Sequence, residues 1–204
     1  IIFKFKQGNF IIFLYPVINK VPEKIRILKG RAKVTALSSF ARKSARASSL
    51  KSKLDIRVFE KDRTGVPKPL NNIYWSVSHK LDFVAGIVAQ KKVGIDIECI
   101  KIDRNISDTL FEKIVDADEQ LVLKGYNKPI AFFRAFTAKE AVLKQTGDGI
   151  KGLSKTKIKT IIDDDNLIVE YLNKKYLVEN FYFDNYLAAV TKDGFNVKWT
   201  LDYN

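Results

Sequence analysis

The chain has 204 residues, 46% of them hydrophobic and 12% aromatic, which is enough to bury a core and excludes a wholly disordered protein. Its single cysteine, Cys99, excludes an internal disulfide and a cysteine-built metal site, and suits a reducing cytoplasm. Thirty-six Lys and Arg against 23 Asp and Glu give a net charge of +13, concentrated between Lys20 and Lys68, where fifteen basic residues face four acidic ones.

The opening Ile1-Ile2-Phe3-Lys4-Phe5-Lys6 alternates like a strand and lacks the continuous apolar region of a signal peptide. No run approaches the ~18 apolar residues of a membrane span. Residues 1–15 read as one or two strands. Residues 22–53 read as helical, with Pro22 near a helix start and Phe40 to Leu50 as a second helix. Asp55 to Phe59 reads as a short strand before a turn at Thr64-Gly65-Val66-Pro67. Phe83 to Ala89 and Val93 to Ile100 are both strand-like, and Gln90-Lys91-Lys92 joins them as a hairpin. Helices follow at Ile106–Lys124 and Pro129–Gln145, the second closed by Gly147. The remainder alternates as strands: Lys157–Ile162, Leu167–Tyr171, Tyr176–Phe183, Tyr186–Thr191 and Asn196–Leu201, with a turn at Asp163–Asn166. Helices followed by strands occur twice. The fold class is therefore α+β, in two similar halves spanning residues 1–92 and 93–204, and the apolar runs Asp82–Val88 and Asn185–Val190 echo one another faintly.

A basic face of this strength attracts polyanions by long-range steering. Nucleic acid, a phosphorylated cofactor and an acidic protein all answer to it, and so does a merely solvated basic surface.

Three short segments carry chemistry. In Val93-Gly94-Ile95-Asp96-Ile97-Glu98, strand alternation turns Val93, Ile95 and Ile97 into a core and Asp96 and Glu98 to the other face. Two carboxylates about 7 Å apart on one strand repel each other unless a cation or base lies between them. Gly94 leaves room there for a close approach. An amphipathic strand with a polar outer face is the plain alternative. In Phe136-Thr137-Ala138-Lys139-Glu140-Ala141-Val142-Leu143-Lys144, Glu140 and Lys144 share a helix face, and a surface Glu–Lys pair would look the same. Trp75-Ser76-Val77-Ser78-His79-Lys80 contains the only histidine. With no Gly-x-Ser-x-Gly elbow and no second histidine as base, a serine hydrolase is excluded, and Ser78 and His79 make better sense as phosphate donors.

In this order and at these separations the three segments resemble the 4′-phosphopantetheinyl transferase superfamily. Its signatures are a Gly-[Ile/Val]-Asp-[Ile/Val]-Glu strand and, farther along, a Trp-[Ser/Thr]-x-Lys-Glu-[Ala/Ser]-x-x-Lys helix. They match Gly94–Glu98 and Phe136–Lys144, with Asp96 and Glu140 44 residues apart. Sfp-type members also carry a Ser-His pair ahead of the first signature, matched by Ser78-His79. Phe136 replaces the usual Trp, and the Gly-Lys-Pro of the Sfp-type pattern is represented only by Gly65-Val66-Pro67-Lys68-Pro69. The resemblance covers residues 65–152.

The resemblance implies a holo-[acyl-carrier-protein] synthase, which transfers 4′-phosphopantetheine from coenzyme A to a serine of an acyl or peptidyl carrier protein. It implies Mg²⁺ held by Asp96, Glu98 and Glu140 with the pyrophosphate of coenzyme A. Glu140, or a water it holds, would take the serine proton, and Lys144 would stabilise or protonate the leaving adenosine 3′,5′-bisphosphate. Lys68, Ser78, His79 and Lys139 would contact the coenzyme's phosphates, together with Arg42 or Arg46, which fit equally. One copy of each motif in a chain of this length implies a single-chain pseudo-dimer, monomeric and cytoplasmic, docking an acidic carrier helix on its basic N-terminal half. The rival class is a basic nucleic-acid-binding module. It lacks a helix-turn-helix, zinc-finger or RNP-type signature and leaves the three carboxylates unexplained.

Overall fold

The computed structural model describes residues 13–101 and 106–203. The strand read at the N-terminus lies, up to residue 12, outside the described residues.

In chain order the elements are β1 (Phe13–Leu14), β2 (Val17–Lys20), α1 (Glu23–Arg26), α2 (Gly30–Lys51), β3 (Tyr74–His79), β4 (Phe83–Ala89), β5 (Ile95–Cys99), α3 (Asp108–Ile114), α4 (Ala117–Val122), α5 (Lys128–Thr146), a 3-10 turn at Gly149–Lys155, β6 (Thr156–Ile161), β7 (Asn166–Tyr171), β8 (Lys174–Phe183), β9 (Tyr186–Thr191), β10 (Asn196–Val197) and β11 (Thr200–Asp202). The α+β expectation holds. One sheet runs β11-β2-β4-β3, a second runs β5-β9-β8-β7-β6, and β1 pairs with β10. The last strands therefore return to the first part of the chain, with β11 parallel to β2 in the register Thr200–Val17.

The core is layered. Val84, Val88 and Trp75 on one face of the four-stranded sheet pack against Leu37, Ala41 and Ala45 of α2. The other face, through Phe83, Ala85 and Ile87, meets Ile95, Ile97, Ala188 and Val190 of the five-stranded sheet. That sheet's far face, including Leu187, Ala189 and Val178, lies under Ala138, Ala141 and Val142 of α5. Small residues set the spacing. A Cβ on Gly86 would lie 2.2 Å from Ala45 N, so α2 rests directly on the backbone of β4.

Local signals account for the helix ends. Asn127 caps α5 by accepting from Ile130 N at 3.0 Å, and Gly147 closes it at φ +88°. The span read as one helix from Ile106 to Lys124 is broken, because Asp116 and Glu119 form a capping box that starts α4 afresh. Conversely α2 runs unbroken through Phe40, and Asp55–Phe59 joins no sheet.

The expected hairpin between Phe83–Ala89 and Val93–Ile100 does not form. β4 pairs with β2 and β3, whereas β5 crosses to the second sheet and pairs with β9 in the register Asp96–Ala189. Every residue of β4 is buried, so it lies between two partner strands and under cover on both faces. It has no free edge to offer β5.

Candidate active site

β3 and β5 are edge strands of different sheets that lie side by side, with Ile95 N donating to Ser76 Oγ at 3.1 Å. Helix α5 crosses above them. The close approach depends on Gly94, where a Cβ would fall 1.8 Å from Ala141 O. Glu140 and Lys144, one turn apart on α5, are thereby brought over Asp96 and Glu98 of β5.

The carboxylates are buried: Asp96 is 4% exposed and Glu98 9%. Asp96 Oδ1 accepts from Lys144 Nζ at 2.7 Å and from Ser78 Oγ at 2.8 Å. Glu98 Oε1 pairs with Lys80 Nζ at 2.7 Å. Two oxygens in this wall, Asp96 Oδ2 and Glu140 Oε1, are buried without a partner. Burial, and then the charge of Asp96, push Glu98 up to about 7 and raise Glu140 as well. These are the marks of carboxylates crowded beyond what their lysines neutralise.

A hard divalent cation takes oxygen donors of this kind. Among the described residues no three acidic, imidazole or thiol groups are already gathered into a metal-holding set. Lys144 and Lys80 stand against Asp96 and Glu98 instead. The donors nevertheless fit such an ion, since the two orphaned oxygens are accepting capacity that a cation would satisfy.

The opposite lip is cationic. Lys61, Gly65, Val66, Ser76, Lys144 and Gly147 are among the residues lining a cleft of about 520 Å³. Neither Lys61 nor Arg42 has a carboxylate partner among the described residues, and Arg42 Nε is buried and unbonded. Burial, followed by Arg42 and Lys144, lowers the Lys61 ammonium. Burial, followed by Lys144, Lys61 and Lys80, holds His79 down as a neutral imidazole. Cations gathered this closely, with Lys61 and Lys144 on the cleft lining and Arg42 near enough to lower Lys61, ask for a polyanion.

The structure thus brings Asp96, Glu98, Glu140, Lys144, Ser78 and His79 together. Ser78 is 7% exposed, with its hydroxyl committed to Asp96. Lys68 is exposed on the lining of an adjoining cavity of about 360 Å³, shared with Tyr74, Trp75 and Lys144. Lys139 is not brought in. One residue from Glu140, it points about 100° away around the helix, where it is 2% exposed and bonded to Glu119 Oε1 at 2.7 Å and Ile114 O at 2.6 Å. Arg42 and Arg46, equivalent in sequence, separate here: Arg46 is tied to Ile56 O at 2.5 Å and to Asp55 at 3.8 Å, while Arg42 lies near the cleft-lining Lys61. Lys61 and Lys80 were not singled out by the sequence. Lys80 follows the Ser-His pair directly, but nothing distinguishes Lys61 within its basic run.

The sequence profile of the 4′-phosphopantetheinyl transferase superfamily matches residues 92–191, the segment that holds β5 and α5. Over those 100 of its 204 residues the chain is similar to the 4′-phosphopantetheinyl transferase superfamily. It is 37% identical over 102 residues to the 4′-phosphopantetheinyl transferase psf-1 of Bacillus pumilus, covering 48% of this chain and 43% of that protein. It is 30% identical over 82 residues to enterobactin synthase component D of Salmonella typhi, covering 39% of this chain and 35% of the relative. The chain thus spans less than half the length of these curated relatives. Within the superfamily helix signature, Phe136 stands in the place of Trp and stacks on Phe132 with centroids 6.1 Å apart.

Proposed function

We propose that this chain transfers the 4′-phosphopantetheine arm of coenzyme A to a serine of an acyl or peptidyl carrier protein. The observation that carries the reading is a buried carboxylate wall with unsatisfied oxygens that lies, through the Lys144–Asp96 pair, beside a cleft lined by Lys144 and the unpaired Lys61. The wall suits Mg²⁺, held by Asp96, Glu98 and Glu140, and the lip suits a nucleotide bearing a diphosphate and a further phosphate. In this reading residues 1–92 bind coenzyme and carrier, and residues 93–204 bring the metal and catalytic groups. Strands β10 and β11 return to the first half. All of these groups come from one chain, which supports a monomer. No helix among the described residues is long and apolar enough to cross a membrane. The free Cys99 thiol suits a reducing compartment, and we place the reaction in the cytoplasm on that ground.

In the mechanism the serine Oγ attacks the β-phosphorus and the bond to the bridging oxygen breaks, leaving adenosine 3′,5′-bisphosphate. Glu140, whose carboxyl is raised by burial and by Asp96, takes the serine proton, directly or through a water. Bound Mg²⁺ would supply charge neutralisation on the diphosphate. Lys144, with its side chain 27% exposed at the rim, moves from Asp96 to the departing phosphate and stabilises its charge. Lys61, Arg42, Lys68 and His79 hold the nucleotide end, and Ser78 keeps Asp96 oriented. Affinity for an acidic carrier should fall steeply with salt.

Intact-mass spectrometry of an apo carrier protein incubated with the chain, coenzyme A and Mg²⁺ tests the reading. A gain of one phosphopantetheine arm that requires metal and disappears with Glu140→Ala supports it. Failure to bind coenzyme A at all would sink it.

A further inference from the structure

Three separate stretches of chain close around a cavity of about 410 Å³, which among the described residues shares no lining residue with the 520 Å³ cleft. The β4–β5 connection brings Lys91 and Lys92, the start of β8 brings Lys174 and Lys175, and the turn after β9 brings Lys192 and Asp193. Asp193 is the one acid among the described lining residues, and it is already engaged. Its Oδ2 accepts from Gln145 Nε2 at 3.1 Å and its Oδ1 from Leu177 N at 3.3 Å. Lys192 pairs with Glu179 at 2.7 Å. The other four lysines have no carboxylate partner among the described residues. Lys91 Nζ lies 5.5 Å from the Phe195 ring centroid and Lys174 Nζ 4.9 Å from that of Tyr176, contacts that hold the ammonium groups without neutralising them. Like charges held around one concavity repel each other, and a bound anion relieves that repulsion. Gln145 also lines the cavity; it is 9% exposed, and its Oε1 is buried without a hydrogen-bond partner. An acceptor left open beside ammonium groups has capacity for one more donor.

We infer that this cavity is a second anion site, separate from the cleft of the proposed reaction, for a small polyphosphorylated ligand. Its volume lies within the range of about 300–1,000 Å³ typical of small-molecule sites. The lysines supply point charges for phosphate oxygens, and Gln145 Oε1 takes the proton of a P–OH group. A nucleic-acid strand fits less well, because such strands stack their bases on open aromatic rings. Phe195, the aromatic residue on this lining, carries Lys91 over its ring instead. The site stands whether or not the chain transfers phosphopantetheine. It also borders the transfer chemistry, since Lys92, Val93 and Gln145 line the 360 Å³ cavity that includes Lys144.

Calorimetric titration with inorganic triphosphate tests the site, without metal and at about 150 mM salt to screen bulk attraction. Lys91→Gln/Lys175→Gln should weaken triphosphate binding by about tenfold or more. The same variant should keep its Kd for coenzyme A within about twofold of wild type. Lys113→Gln/Lys124→Gln, an equal charge change on exposed lysines outside the cavity lining, should move triphosphate affinity by less than about twofold. An equal loss in that control would mean that net charge, not the cavity, attracts the anion. A loss seen only with Lys61→Met would put triphosphate in the cleft and remove the second site. A parallel fall in coenzyme A affinity in Lys91→Gln/Lys175→Gln would make the cavity part of the coenzyme's own site and overturn the inference. So would a single-stranded RNA oligonucleotide that binds where triphosphate does not and is lost in the same variant. Failure of wild type to bind coenzyme A would sink the transferase reading and leave the triphosphate result intact.

Discussion

Lys144 holds one oxygen of Asp96 at 2.7 Å while the other oxygen of the same carboxylate is buried with no partner at all. The ammonium thus occupies the ground that a metal ion would share. Lys144→Ala should lower turnover by about a hundredfold or more. It should also lower metal-free stability by about 1–3 kcal/mol, since Asp96 keeps its burial and loses its counter-charge. Because Mg²⁺ no longer displaces a lysine, it should raise the melting temperature more in this variant than in wild type. An equal metal-induced rise in both would show that Lys144 and the ion do not compete for Asp96.

Lys61, which the sequence did not single out, and Arg42, which it could not separate from Arg46, make the sharpest test of the cationic lip. Lys61 lines the cleft and Arg42 lies near enough to lower it, both without a carboxylate partner among the described residues, whereas Arg46 is spent on Ile56 O and Asp55. Lys61→Met and Arg42→Met should each weaken coenzyme A binding by about tenfold in calorimetric titration. Arg46→Met should instead lower stability with little change in that affinity. Comparable losses of affinity from Arg46 and Arg42 would contradict this division.

Much of the site was legible because its chemistry is periodic. Alternation on β5 put Asp96 and Glu98 on one face, and the four-residue step from Glu140 to Lys144 put both above them. The same periodicity separates Lys139 from Glu140, since adjacent helical positions do not share a face. Pairing was less legible. β4 is a wholly buried apolar run and β5 is buried at all but its last residue, and burial carries no sign of which strand lies beside it. Nearness in sequence favoured a hairpin, but tertiary packing gave the edges of β4 to β2 and β3. Lys61 was hidden for another reason: in a stretch holding fifteen basic residues, only the fold says which one lines the cleft.

The Lys139–Glu119 pair is nearly solvent-free, with side chains 3% and 2% exposed. Glu119 also accepts from Asp116 N at 3.0 Å and Ile158 N at 2.6 Å, so it joins α4, α5 and β6. Burial lowers the Lys139 ammonium even against the pull of Glu119. Lys139→Met should cost about 3–5 kcal/mol by stranding Glu119. The double variant with Glu119→Gln should recover part of that loss in denaturant unfolding. A fully additive cycle would show that the pair is not coupled.

Gly94 governs the whole assembly through a distance. Its missing Cβ is what lets α5 lie on β5, since that atom would fall 1.8 Å from Ala141 O. Gly94→Ala should cost more than about 4 kcal/mol or abolish folding. Gly125→Ala, where a Cβ meets nothing within 4 Å, should stay within about 1 kcal/mol of wild type. A stable Gly94→Ala protein of normal activity would mean that α5 can lift from the sheet without disturbing the carboxylates.

Glu98 gives the site a pH signature. Its carboxyl is raised from 4.5 to about 7 by burial and by Asp96. Between those values the folded chain keeps a proton that the unfolded chain has released. Stability present at the acid end of this window is therefore lost as pH rises through it, by up to about 3 kcal/mol. Metal-free melting temperatures should fall accordingly from about pH 4.5 to 7. Glu98→Gln should flatten the fall without removing it, because Glu140 is raised for the same reasons and adds to the slope. Saturating Mg²⁺ should flatten it as well, since the ion binds the deprotonated forms. An unaltered slope in Glu98→Gln would assign the titration to another group and remove the case for carboxylate crowding at this end of the cleft.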